Sequence, residues 1–352
     1  MQLLKDLIKI DSSSPDNINK AVILTAAYLK DHSIEGKILT NGGLKSYVAV
    51  IGQGEKTLIF NGHLDVVSAA PEQFRPQEKE GRLYGRGSAD MKGGCVAMIE
   101  AFIKLSREEL SCRIMLQLVP DEEVGGRLGT AFLVEKGYTG DFVICTEPTN
   151  LEISLKAKGI INLYIESAGK SAHASRPWEG ENAIAKAFAD FKRIEALPIL
   201  NESSPYYEGS TVSLGKIEGG DILNRVPDRC LMGVDLRYVP HLKADDIIAA
   251  IEDVIEGKLM VERTEPAVDT AEDHRFVQAL GKSFKLITGK EPLYTAAHGG
   301  SDGRFFASRG IPVAELGPAG ANWHGDGEYV EMDSLKIVED VLIDFARSFN
   351  KY

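Results

Sequence analysis

Two periods of apolar spacing take turns along this chain. NKAVILTAAYLKDH (residues 19–32) places its apolar positions three and four apart, which predicts an amphipathic helix. SYVAVIG, TLIFNGHLDVV, CRIMLQLVPDEE and DFVICTEP are short apolar runs that predict strands. Between them, GGCVAMIEAFIKLSREEL and RLGTAFLVEKG predict helices. Strands alternating with helices imply an α/β fold, with a mainly parallel sheet flanked by helices on both faces. Ligands of such sheets gather beyond the carboxyl ends of the strands. NGHLD, PDEE and TEPT all stand at such ends, so separate strands deliver acidic and His side chains to one edge.

The pattern changes at about residue 158. IINLYIESAG predicts a strand, ENAIAKAFADFKRIEAL a helix, TVSLGKIEG and RCLMGVDLRYV two strands, KADDIIAAIEDVIEG a helix and LMVERTEP a last strand. This β-α-β-β-α-β order is that of a split βαβ, or ferredoxin-like, α+β domain. Residues 158–265 are therefore expected to form a small domain inserted into a larger one made of 1–157 and 266–352. The alternation then resumes with HRFVQALGKSFKLITG, PLYTAAHGG, DGRFFASRG and IPVAELGPAG, and closes with a helix from about Ser334 to Phe349.

Composition narrows the function. Hydrophobic residues at 43% and charged residues at 26% are ordinary globular values. The 52 Asp and Glu against 40 Lys and Arg give a net charge of −12, which argues against nucleic acid as a partner. No apolar run approaches the roughly 20 residues of a membrane-spanning helix. MQLLKDLIKIDSSS lacks the layout of a signal peptide. Cys95, Cys112, Cys145 and Cys230 are scattered, with no CxxC pair, and read as buried thiols of a cytoplasmic protein.

The polar strand ends carry the candidate chemistry. His63 and Asp65 in GHLDVV sit two apart on an extended segment and so point the same way. A ligating His commonly gives its second ring N–H to a carboxylate. Asp90 lies in GRGSADMKGG just before a helix, a place that also suits an N-cap. Met91 and Lys92 are read as serving that turn. Glu122 and Glu123 are adjacent carboxylates that repel each other unless cations are near. Glu147 ends a further strand, and His324 sits in the Gly-rich GPAGANWHGDGEYV. Two His, one shareable Asp and two Glu suit two divalent ions, because zinc accepts imidazole nitrogen and carboxylate oxygen. A spare carboxylate beside them can serve as a general base.

GHLDVV, YGRGSADMKGG, PDEEVGG, TEPT, GKSAHASRPWEGENAI and the late GP…H…E segment together resemble the co-catalytic zinc amidohydrolase family. That family includes acetylornithine deacetylase, succinyl-diaminopimelate desuccinylase, aminoacylase and glutamate carboxypeptidase. The resemblance implies a zinc-exopeptidase-like catalytic domain whose inserted lid also mediates dimerisation. It implies two Zn²⁺ per chain, with Co²⁺ or Mn²⁺ as substitutes. His63 and Glu147 would hold one ion, Glu123 and His324 the other, and Asp90 would bridge them. Asp65 would orient His63, and Glu122 would be the general base. His173, in SAHAS, would reach a partner's active site and stabilise the oxyanion. Asn224 and Arg225, in LNRVP, would lie near the substrate carboxylate. SDGRF, Ser301 to Phe305, is similar to the desuccinylase loop and offers Ser301 and Arg304 to the substrate, although Gly300 stands where the family often has Thr. The resemblance also implies a cis peptide after Asp90. The expected activity is hydrolysis of an N-acyl amino acid. A metallocarboxypeptidase or dipeptidase on short peptides is the alternative, and a metal-binding scaffold without catalysis is the reading from another class.

Overall fold

In the computed structural model, which describes residues 1–352, the apolar runs form the middle of a nine-stranded sheet. Across the sheet the strands run Gly36–Asn41, Leu44–Ile51, Arg113–Val119, Thr57–His63, Phe142–Cys145, Val313–Glu315, Ile153–Ala157 and Val268–Asp269, with Tyr294–Ala297 beside Ile153–Ala157. The four central strands, Arg113–Val119 to Val313–Glu315, are parallel. Leu44–Ile51 and Gly36–Asn41 add an antiparallel margin. Every residue of Thr57–His63 is buried, as expected of a parallel strand covered on both faces.

Helices provide that cover. Lys92–Leu105 and Met332–Ser348 pack together within the main core, which includes Phe60, Leu116, Phe102, Val338 and Phe345. A separate cluster joins Val48 and Val119 to Leu133 of the short Thr130–Glu135 helix. Neighbouring residues of one strand thus enter different clusters, Leu118 the first and Val119 the second, because successive side chains on a strand alternate faces.

Lys156–Val268 and Ala296–Gly300 form a compact unit of their own. Its antiparallel sheet runs Thr211–Gly219, Arg229–Tyr238, Gly159–Ala168, Lys258–Glu265. The helices Ala183–Glu195 and Ala244–Val254 bury Ala187, Phe191, Ile247 and Ile251 in the same core as Ile161, Leu163 and Met232. That is the strand order of a split βαβ sheet. The inclusion of Ala296–Gly300 was not expected from sequence. Tyr207 donates to Ala297 O at 2.8 Å, and its ring meets that of His298 edge-on at 5.5 Å.

Some short elements also escaped the sequence pattern: the first helix, Gln2–Ile8, the margin strand Gly36–Asn41, and a small sheet of Gly320–Ala321, Tyr329–Glu331, Arg82–Tyr84 and Gln77–Lys79. Gln77–Lys79 is three exposed residues long, too short and too polar to show a period. The four cysteines are buried and unpaired, as expected. No helix is long and apolar enough to cross a membrane.

One polar contact of the smaller unit has a measurable consequence. Asp190 lies fully buried on the Ala183–Glu195 helix. It accepts from the backbone N–H groups of Glu256 and Gly257 at 3.0 Å each and from Arg193 Nη1 at 2.7 Å. Asp190→Ala strips those donors of an acceptor, and a lost buried acceptor costs about 1–3 kcal/mol. Chemical unfolding should show that loss; a change within about 0.5 kcal/mol, the range of a neutral surface substitution, would mean that the contact carries no load.

Candidate metal centre

Three parallel strands end within two residues of one another and set the site. His63 is the last residue of its strand and lies opposite Val119. Asn61, two residues earlier, lies opposite Cys145. The chain therefore leaves the sheet toward Asp65, toward Glu122 and Glu123, and toward Glu147 along one edge.

His63 is fixed from several directions. Its backbone N–H points to Met91 Sδ at 3.2 Å, and its carbonyl accepts from Cys95 Sγ at 3.2 Å. Its Nδ1 lies 3.0 Å from Asp65 O and 3.4 Å from Asp65 Oδ1. With Nδ1 so engaged, Nε2 is left to face Asp90 Oδ1 at 3.4 Å and Glu147 Oε2 at 3.8 Å. Asp65 does more than orient the imidazole. Its Oδ1 accepts from Glu122 N at 3.2 Å and its Oδ2 from Glu123 N at 3.0 Å. One buried carboxylate thus ties the His63 strand to the turn carrying both glutamates.

Asp90 stands in a loop that glycine makes passable. Gly87 takes φ +76°, in the left-handed region. A Cβ on Gly94 would lie 1.9 Å from Thr146 O, so only glycine lets the following helix approach the segment before Glu147. The Asp90–Met91 peptide is cis, as the resemblance implied. The two carboxylate oxygens of Asp90 face different imidazoles. Oδ1 faces His63, and Oδ2 lies 3.3 Å from His324 Nε2. The same His324 nitrogen is 3.2 Å from Glu123 Oε2. Donor atoms of His63, Asp90 and Glu123 all lie within 4.8 Å of one another.

Charge in this cluster is only partly balanced. Burial pushes the Glu122 carboxyl up, pushes Glu123 up to about 7 and raises Glu147 well above the usual range. Burial acts the same way on Asp90, but hydrogen bonds from His324 and His63 outweigh it and hold that carboxyl low. The hydrogen bond to Asp90 lifts His324 to about 9. Burial opposes protonation of His63, yet the charge of Asp65 and hydrogen bonds to Asp65, Asp90 and Glu147 together outweigh it and raise it. The imidazoles thus answer the carboxylate charge by holding protons, the place a divalent cation takes when ligands bind metal. Nitrogen and oxygen donors without thiolate fit zinc, and the His63–Asp65 contact is the outer support such a ligand needs.

The remaining expected residues fall into two groups. In the smaller unit, His173 and Arg225 form a β-bridge, and Ala174 N donates to Asn224 O at 2.9 Å, so His173, Asn224 and Arg225 are neighbours. His173 is exposed, its Nδ1 lies 2.8 Å from Ser175 Oγ, and Arg225 pairs with Asp221. Ser301 and Arg304 are different. Ser301 Oγ bonds the buried Glu315. Arg304, only 3% exposed, donates to Ser301 O at 2.7 Å, Gly125 O at 2.9 Å and Glu122 Oε1 at 3.3 Å. As placed, Arg304 links the Ser301 carbonyl to the turn that carries Glu122 and Gly125. Lys92, expected to serve the turn, reaches from it to the end of the first helix. It is fully buried, burial pulls its ammonium down to about 7, and Nζ donates to Leu7 O at 2.9 Å and Ile10 O at 3.0 Å. Sequence reading passed over Arg86 and Glu328, a buried ion pair at 2.7 Å beneath the Asp90 loop. Their signal was a cation and an anion inside two Gly-rich motifs, which alone does not say that they meet.

Residues 59–348 match the model of peptidase family M20/M25/M40. The chain belongs to that family. It is accordingly a metal-dependent hydrolase of amide bonds. It is 28% identical to a probable succinyl-diaminopimelate desuccinylase of Staphylococcus aureus, over 96% of this chain and 95% of that one. It is 28% identical to a succinyl-diaminopimelate desuccinylase of Gluconacetobacter diazotrophicus, over 98% and 95%. Among solved structures, aminopeptidase PepT of Bacillus cereus superimposes with a TM-score of 0.83 at 21% identity, over 99% of this chain and 97% of that one. A metallo-carboxypeptidase of Sulfolobus solfataricus does so with a TM-score of 0.80 at 19% identity, over 99% and 98%. These likenesses establish the M20 fold for the whole of this chain.

Proposed function

We propose that this M20 hydrolase cleaves the amide bond of an N-acyl amino acid, of the deacetylase or desuccinylase type, at a centre of two zinc ions. His63 and Glu147 would hold one ion, Glu123 and His324 the other, and Asp90 would serve both. The observation that carries this reading is Asp90, with one oxygen toward His63 at 3.4 Å and the other toward His324 at 3.3 Å. When bound, the ions supply Lewis acidity that polarises the scissile carbonyl and acidifies water.

The chain's own groups do the rest. Glu122 lies beside the ligand set, with its backbone fixed by Asp65 and its carboxylate near Arg304. It takes the proton of the attacking water and returns it to the leaving amine. Burial of Glu122, which favours its protonated form, suits a group that must hold a proton between those steps. His173 is proposed to donate to the developing oxyanion from the lid of a partner subunit. Asn224 and Arg225 are proposed to meet the free carboxylate of the substrate. The names of the relatives favour an N-succinyl substrate, while Gly300 departs from the loop often seen with it.

Hydrolysis of N-acetyl, N-succinyl and N-formyl amino acids and of dipeptides, followed by amine release, tests the substrate class. Cleavage of an acyl amino acid is expected. Cleavage of dipeptides alone would favour the carboxypeptidase or dipeptidase reading, and zinc binding with no hydrolysis would favour a scaffold. On the best substrate, Glu122→Gln should lower kcat by about 10²–10⁴-fold, the usual worth of a general base, and leave metal content unchanged. Wild-type kcat in that variant would remove Glu122 from the role.

A trans role for His173 predicts complementation. His173→Ala and Glu122→Gln proteins, each nearly inactive, should form hybrid two-fold dimers in which one site has both groups. Random exchange makes about half the dimers hybrid, so roughly a quarter of wild-type activity should return, by binomial pairing. No recovery despite demonstrated exchange would place His173 in its own chain's site or outside catalysis.

A further inference from the structure

We infer that Glu328 is a positioning residue that fixes Asp90 and His324 relative to each other. The inference rests on the proposed roles of those two as metal ligands. Tyr329–Glu331 pairs with Arg82–Tyr84, and the last strand partners are Tyr329 and Tyr84. Gly85 N still reaches Glu328 O at 2.9 Å. Beyond that point the chain turns toward Asp90, and the side chain of Glu328 takes over as acceptor. Its Oε2 accepts from Gly87 N at 2.9 Å, and its Oε1 from Ala89 N at 3.0 Å and Asp90 N at 3.1 Å. Arg86 Nη1 donates to Oε2 at 2.7 Å. Glu328 is only 1% exposed, so water does not compete for these donors.

The other hand of Arg86 holds His324. Its Nη2 donates to Gly325 O at 3.0 Å, the residue after His324. His324 takes φ +58° and Asn322 φ +63°, left-handed conformations that non-glycine residues adopt only where the surroundings impose them. Gly325 N closes this turn on Asn322 O at 3.0 Å. Asp90 N and the His324 turn are thus joined through a carboxylate and a guanidinium, by charge-assisted bonds that are short and directional. A glutamine at 328 would set an amide NH₂ against N–H donors on one side. A lysine at 86 would keep the charge opposite Glu328 but lose the planar fork that also reaches Gly325.

The test is metal titration of folded Glu328→Gln and Arg86→Lys proteins, followed by calorimetry and by visible absorption with Co²⁺ as the probe. A purely structural role would lower the unfolding midpoint and leave Co²⁺ affinity and spectrum of the folded protein as they are. Positioning predicts Co²⁺ affinity weaker by about 10–100-fold, the usual effect of losing a support behind metal ligands. It also predicts an altered Co²⁺ spectrum, and at saturating metal a lower kcat with KM near the wild-type value. Wild-type affinity and spectrum in folded Glu328→Gln would overturn the inference. If that variant does not fold, Arg86→Lys decides by the same readings, and failure of both to fold would mark the pair as structural and overturn it. Asp90→Ala is the control. If Asp90→Ala binds Co²⁺ as the wild type does, the metal-centre reading itself fails and this inference with it; if only the Glu328 and Arg86 variants bind normally, the inference fails alone.

Discussion

Asp65, Asp90, Glu122, Glu123 and Glu147 crowd the end of one parallel sheet, where burial disfavours any carboxylate whose charge is not answered. The surroundings read as answers to that constraint. Asp65 is met by the N–H groups of Glu122 and Glu123 and by His63. Asp90 is met by both imidazoles. Arg304 lies against Glu122. Burial drives Glu123 and Glu147 toward the protonated form despite the imidazoles of His324 and His63 beside them. They are also the carboxylates proposed to hold one ion each. Stability and function meet here, because the groups that are costly to bury are those that a divalent ion would neutralise.

Much of this was legible in the sequence because it depends on strand ends. Apolar runs such as TLIFNGH and FVIC are buried strands, and their last residues locate the site edge. The split βαβ order of the smaller unit followed from alternating periods alone. What stayed hidden was the partner of each polar residue. Arg304 was expected at the substrate, and its bonds to Glu122 and to the carbonyls of Ser301 and Gly125 could not be read from its motif. Lys92 could be placed in a turn, but not against Leu7 O and Ile10 O, more than 80 residues earlier in the chain. Glu328 and Arg86 are 242 residues apart, a separation at which no local pattern carries information.

Local rigidity is distributed to suit the proposed chemistry. Three of the segments proposed to bear metal ligands are pinned by buried groups: Asp65 holds the glutamate turn, Glu328 the Asp90 loop, and Met91 and Cys95 the peptide of His63. His173 is exposed and held by Ser175, and Arg225 pairs with an exposed Asp221. Fixed donors suit ions that tolerate little error in ligand position. Exposed groups suit contacts that form only when substrate or another subunit arrives.

The central claim is that Asp90 joins two metal ions. Anomalous diffraction at the zinc edge, from crystals grown with zinc, tests it directly. The account predicts two peaks about 3.5–4 Å apart, the usual spacing of paired catalytic ions, one beside each oxygen of Asp90, with His63 and Glu147 on one and His324 and Glu123 on the other. A single peak, or a pair that does not share Asp90, would contradict it.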